Sequence, residues 1–451
     1  MSIYPEHATE RDRWILARRG ARNKLDPFKP HAFLVEEERA ESGEIVSVAT
    51  IFLTNRECPW RCLMCDLWKN TLTETVPSGA IPAQIDYALA ELSKQRSAGF
   101  QPASPGDIRV AGDCREPRGS TEAQAAVATR QMKRHSPSPR PSLHSPTALT
   151  PDPSPIRWER GTAGEGETSS SPFSSSRVQL PARMPALRQI KLYNSGSFFD
   201  PRAVPPKEHG AIAQRVAAFD RVIVECHPAL VGESALKFRD WLGGTACSRP
   251  ISGEFRDGAT PSLPDKKLEV AMGLETAHPQ VLAKLNKRMT LDQFRRAAEF
   301  LRENGIALRV FILVKPPFLD EAEALLWARR SIDFAFDCGA TVASLIPTRF
   351  GNGALETLAE RGEFSRPKLA TLEAALDYGV GLNRGRVFGD LWDLEKFSDC
   401  AECFEQQRTR LLEMNLRQVV LPQVPCASGC GRPSGTGICD NDLRTSFKAC
   451  S

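Results

Sequence analysis

The sequence lacks any apolar run near the roughly 18 residues that a membrane-spanning helix needs, which excludes a bilayer anchor of that kind. It has little charge imbalance. With 59 Lys and Arg against 55 Asp and Glu, the net charge of +4 neither demands nor excludes a nucleic-acid partner. A charged-then-apolar leader with a small-residue cleavage site is missing, and Glu6, Glu10 and Asp12 interrupt the N-terminal arginines, unlike an acid-poor transit peptide. No strand-like segment shows the aromatic stacking pattern of single-stranded RNA binders. A cytoplasmic protein with reduced thiols is expected, so 13 cysteines in 451 residues call for ligand chemistry rather than disulfides.

Composition divides the chain. Residues 136–176 are dominated by Ser, Pro, Gly, Thr and Arg, and cannot bury enough apolar surface to offset the entropy of ordering. A low-complexity disordered insertion over 96–186 is expected, and the stretch from Leu242 to Lys266 reads as a second irregular loop. The rest alternates β-branched runs with helical patterns. Expected strands are Val46 to Leu53, Arg188 to Tyr193, Arg221 to Cys226, Leu268 to Leu274, Ala307 to Val314 and Thr341 to Ile346. Thr290 with Gln293, and Asp320 with Glu323, are capping-box signatures opening helices that Gly305 and Gly339 follow. This rhythm predicts an α/β fold of six parallel units, fitting either a doubly wound sheet or an incomplete barrel, with ligands at the carboxyl ends of the strands. The expected organisation is an N-terminal extension (1–45), a core (46–95 and 187–350), a C-terminal extension (351–431) and a frayed tail (432–451).

Directly after the first expected strand comes Cys58-Pro59-Trp60-Arg61-Cys62-Leu63-Met64-Cys65, a C-x3-C-x2-C array. Soft thiolates select iron-sulfur clusters, zinc or copper(I). A cubane held by three cysteines leaves one iron open, whereas a closed zinc site needs a fourth local ligand, and neither Cys nor His occurs from Asp66 to Ile85. Three ordinary buried thiols conflict with the interruptions at Pro59, Arg61 and Asp66. Glu225 and Glu275 close the third and fourth apolar strands, where a carboxylate can accept hydrogen bonds from a ribose or an ammonium. Each can also be merely solvated. His227 and Lys315, at strand ends, have substrate-side and structural readings alike.

This triad after the first strand of a six-unit β/α protein resembles the radical S-adenosylmethionine (SAM) superfamily. Within it the chain is similar to the Elp3-like branch, and more closely to the group containing the radical SAM subunit of archaeosine synthase, a tRNA-modifying system. The resemblance covers residues 20–95 and 187–431. It implies a partial (β/α)6 barrel, a [4Fe-4S] cluster on Cys58, Cys62 and Cys65, SAM on the open iron, and hydrogen abstraction from a substrate such as a nucleoside or tRNA. It also implies a reductant protein of flavodoxin or ferredoxin type. The family's Gly-Gly-Glu-like turn corresponds to Tyr193-Asn194-Ser195-Gly196-Ser197, without the Glu, so Asn194, Ser195 and Gly196 are the implied SAM contacts. Met64 stands where relatives carry an aromatic near adenine, and Arg288 resembles the basic residue that holds the SAM carboxylate.

Near the C-terminus Cys400, Cys403, Cys426 and Cys430 form pairs at C-x2-C and C-x3-C spacing, able to close an S4 site. Zinc is the preferred ion, against a second cluster or unliganded thiols. Gly389 to Asp393 reads as a turn packed by Trp392. The competing function is an iron-sulfur or zinc binding protein whose catalysis has decayed, and SAM cleavage discriminates the two.

Overall fold

The computed structural model describes residues 2–97, 109–110, 186–243 and 267–426. Most of the expected insertion, the stretch 244–266, Cys430 and the expected frayed tail lie outside the described residues. In chain order the first elements are α1 (Ala8–Leu16), β1 (Ala32–Arg39), β2 (Ile45–Phe52), α2 (Ala80–Ser97), β3 (Arg109–Val110), β4 (Leu187–Tyr193), α3 (His209–Arg215), β5 (Arg221–Glu225) and α4 (Glu233–Leu242). There follow β6 (Lys267–Glu275), α5 (Pro279–Lys284), α6 (Leu291–Glu303), β7 (Ala307–Val314), α7 (Glu321–Asp337), β8 (Val342–Pro347), α8 (Ala354–Glu360), α9 (Leu369–Gly381), β9 (Arg386–Gly389) and α10 (Phe404–Arg417). Both capping boxes form: Thr290 accepts from Gln293 N and Asp320 from Glu323 N, each with its reciprocal bond.

Among the described residues one sheet runs β3-β1-β2-β4-β5-β6-β7-β8-β9. The run β2-β4-β5-β6-β7-β8-β9 is parallel throughout and laid down in chain order, while β1 is antiparallel to β2 and to the short edge strand β3. A doubly wound sheet reverses its order at a switch point. The parallel run from β2 to β9 never reverses, so winding in one direction keeps its helices on one face and the sheet curls into a barrel.

Alternation along the strands builds the two faces. Ile190, Leu192, Val222, Val224, Val270, Met272, Val310 and Ile312 join helix residues such as Ile85, Phe238, Phe294 and Ile332 in one apolar core. Among the alternate positions, Glu38, Lys191, Arg221, Glu269 and Arg309 carry buried charge. Glu38 of β1 pairs with Lys191 of β4 at 2.6 Å and with Arg309 of β7, five places away in the sheet. Glu269 of β6 pairs with Arg309 (2.6 Å) and Arg221 (2.8 Å) and is fully buried. Only a curled sheet brings β1 onto β7. Curling also lets Arg386 of β9 donate to Arg39 O of β1, edge to edge. The fold is therefore a partial (β/α) barrel floored by a buried ionic lattice.

The sheet is wider than the six expected units. Ala32–Arg39, expected in an extension, is the antiparallel strand β1, and Arg386–Gly389, expected to run into a turn, is a seventh parallel strand. The remaining gap is filled by α10, which packs on both β1 and β9. Asn415 of α10 and Gln418, the residue capping its end, each donate to and accept from one β9 residue, Gly389 and Val387 respectively, at 2.7–2.9 Å.

Candidate functional site

Cys58, Cys62 and Cys65 are half-buried on the loop leaving β2, at the carboxyl end of the barrel. The loop is held from several sides. Glu57 pairs with Arg19 (2.6 Å), Arg22 and Arg61 (3.1 Å). Leu63, buried against Tyr4, Ile15 and Leu355, donates its N–H to Leu285 O, and its carbonyl accepts from Asn352 Nδ2 at 2.7 Å. Asn286 Nδ2 donates to Arg61 O and to Asp12, each at 2.8 Å. Trp60, between the first two cysteines, stacks on His227 at 3.7 Å between centroids and 12° between planes. His227 Nδ1 accepts from Ala229 N, which leaves its Nε2 to donate to Lys287 O at 3.0 Å. Burial and the nearby Lys287 charge push this imidazole down to about 3, so it is neutral. Burial pushes all three triad thiols up to about 12, and a metal that takes them must displace protons.

The turn after β4 presses on this loop. A Cβ on Gly196 would sit 2.8 Å from the Cys58 Cβ, so only glycine allows the approach. Glu225, expected at the cofactor, turns instead to this backbone: Oε1 accepts from Asn194 N and from Gly196 N at 3.1 Å. Burial raises its carboxyl to about 7, although these amides and Lys287 oppose the shift. The Asn194 side chain is fully buried with neither amide atom partnered among the described residues, and Ser195 holds φ at 55°. A buried amide left without a partner beside a thiol loop suits a ligand contact.

Glu275 ends β6 with φ at 67°, and its Oε1 lies 2.6 Å from Lys287 Nζ. Gly273 makes room for the pair, since a Cβ there would meet the two at 2.2 and 2.5 Å. Burial opposes the Lys287 charge, but Glu275 and Cys62 more than offset it and hold the ammonium above its ordinary range. Arg288, expected at this place, points away and pairs with Asp12 at 2.7 Å and Ala8 O at 2.9 Å. Its neighbour Lys287 is the first cation acting on Cys58 and Cys62, with Arg61 and Arg19 also near the thiols. Met64 packs between two apolar clusters, one with Leu355 and one with Val281 and Leu313. Lys315 is tied to Glu321 and Ser365, at 2.5 and 2.7 Å. Left-handed backbone gathers here: Ser195, Glu275, Asn286, Arg288, Lys315 and Phe318 all have φ between 55° and 74°.

Over 184 residues the chain is 29% identical to archaeosine synthase subunit beta from Methanosarcina acetivorans, covering 40% of this chain and 47% of that protein. A second protein of the same name, from Thermococcus kodakarensis, is 31% identical over 185 residues, covering 40% and 51%. The chain resembles archaeosine synthase subunit beta. It spans about half the length of the curated relatives it matches. No family model matches it. Among solved structures, the archaeal Methanocaldococcus infernus Elp3 aligns at TM-score 0.35 and 11% identity, covering 51% of this chain and 55% of that one. The radical SAM methyltransferase TsrM from Kitasatospora setae aligns at 0.25 and 19%, covering 38% and 28%.

Cys400, Cys403 and Cys426 form a second thiol group, with all three Sγ atoms within 4.8 Å of one another. Their expected fourth member, Cys430, lies outside the described residues. Spacing alone found both thiol groups. It missed Lys287, whose only signal was a second cation beside Arg288, and Arg19, Arg22 and Asp12, whose partners are remote in sequence.

Proposed function

We propose that this chain is a radical SAM enzyme, in which Cys58, Cys62 and Cys65 hold a [4Fe-4S] cluster and the surrounding strand ends hold SAM. The observation that carries the reading is the fully buried Asn194 amide, without a partner among the described residues, on a turn whose Gly196 presses on Cys58. A cluster held by Cys58, Cys62 and Cys65 would supply the electron for reductive cleavage of SAM and so the means of hydrogen abstraction from a substrate. This chain's own residues do the rest. Asn194, Ser195 and Gly196 offer amide and hydroxyl contacts to SAM, with Glu225 fixing the turn's backbone. Lys287 offers positive charge to a carboxylate, and Glu275 keeps that ammonium charged and positioned. His227 and Trp60 brace the loop. By analogy with the relatives' name, the substrate is a tRNA-borne base or nucleoside and the chain works with a partner subunit. A flavodoxin or ferredoxin type protein supplies the electron.

The test is anaerobic reconstitution with iron and sulfide, then reduction with SAM, assaying 5′-deoxyadenosine in the wild type and in Cys62→Ala. Product in the wild type alone supports the reading. No product from a fully loaded cluster overturns it in favour of a binding protein without catalysis.

A further inference from the structure

Cys400 and Cys403 precede α10, and Cys426 follows it. Fourteen residues of helix rise about 21 Å, so the chain must double back along α10 to return Cys426 to its start. Arg410, midway along the helix, holds the returning strand by donating to Leu421 O and Pro422 O at 2.7 and 2.9 Å. Gln423 Nε2 donates to Asp377 at 2.6 Å. The path ends with Cys426 Sγ 3.7 Å from Cys400 Sγ. That is too long for a disulfide, at about 2.05 Å. It matches the S···S edge of a tetrahedral zinc thiolate, about 3.8 Å for Zn–S bonds near 2.3 Å. A cubane would place iron and sulfide between its thiolates and spread them further than these three.

We infer that Cys400, Cys403 and Cys426 bind one zinc ion, separate from the iron-sulfur centre, and that this ion clasps the returning strand to the start of α10. A tetrahedral zinc takes one donor beyond these three. Since α10 fills the gap between β1 and β9, the clasp secures the element that closes the barrel.

The experiment is elemental analysis of the full-length chain purified anaerobically. One zinc per chain is expected in the wild type and in Cys62→Ala, falling to background in Cys400→Ser and Cys426→Ser. Because those variants can lose the tail's fold, cobalt replacement in the wild type is the second measurement. It should give a thiolate-to-cobalt charge-transfer band with the strong d–d bands of a tetrahedral site. Absence of zinc, its retention in both serine variants, or a second complement of cluster iron in Cys62→Ala would overturn the inference.

Discussion

Replacing Lys287 by methionine removes the ammonium 2.6 Å from Glu275 while keeping most of the side-chain volume. Both side chains are about nine-tenths buried, with 10% and 9% exposure, so the carboxylate left behind cannot be rehydrated without opening the loop. Removing one partner of a buried ion pair costs about 3–5 kcal/mol, because most of the loss is the stranded charge and not the attraction itself. Neutralising that charge should then restore stability: Glu275→Gln added to Lys287→Met is expected to recover most of the loss. Urea unfolding of the metal-free protein, with the midpoint falling in the single variant, returning in the double, and an unchanged slope, measures this directly. A single variant within about 1 kcal/mol of wild type, or a double variant no better than the single, would refute the claim that the pair is desolvated and coupled.

Two other predictions follow from the same region. Gly196→Ala drives a methyl to 2.8 Å from the Cys58 Cβ, well inside the ordinary 3.5–4.0 Å contact, so it should cost about 1–3 kcal/mol and lower the iron bound on reconstitution. Gly210→Ala, where a Cβ meets nothing within 4 Å, is the neutral control. Glu225, raised from 4.5 to about 7, binds its proton more tightly folded than unfolded. Its contribution is therefore full below pH 4.5 and lost as pH rises to about 7, at up to about 1.4 kcal/mol per pH unit. Glu225→Gln should flatten that slope in a pH series of thermal melts, and an unchanged slope would assign it elsewhere.

The six central parallel strands were legible because their β-branched runs are interrupted by clear turn and cap residues, and the thiol triad because its spacing is a chemical requirement. β1 was not, since AFLVEEER looks too acidic for a strand until Glu38 is seen turning inward to Lys191 and Arg309. A signal for that lattice was present: Lys191, Glu269 and Arg309 each interrupt an apolar run, and charges in neighbouring buried strands require one another. β9 has only four residues, too few for a period to register. Choosing between Lys287 and Arg288 needs the local backbone, where Asn286 and Arg288 both adopt positive φ and set which side chain turns inward.

A parallel strand at the margin of a sheet exposes unpaired amides and carbonyls that can recruit a strand from another molecule. Here two side-chain amides stand in for the missing neighbour: Gln418 and Asn415 occupy both the donor and the acceptor of Val387 and Gly389, as a tenth strand would. The helix that carries them is thus a plug against self-assembly as well as a piece of packing. A chain shortened to end just after Gly389 would keep its barrel strands and its cysteine triad but present an adhesive border, so its shortfall would be solubility before it was chemistry.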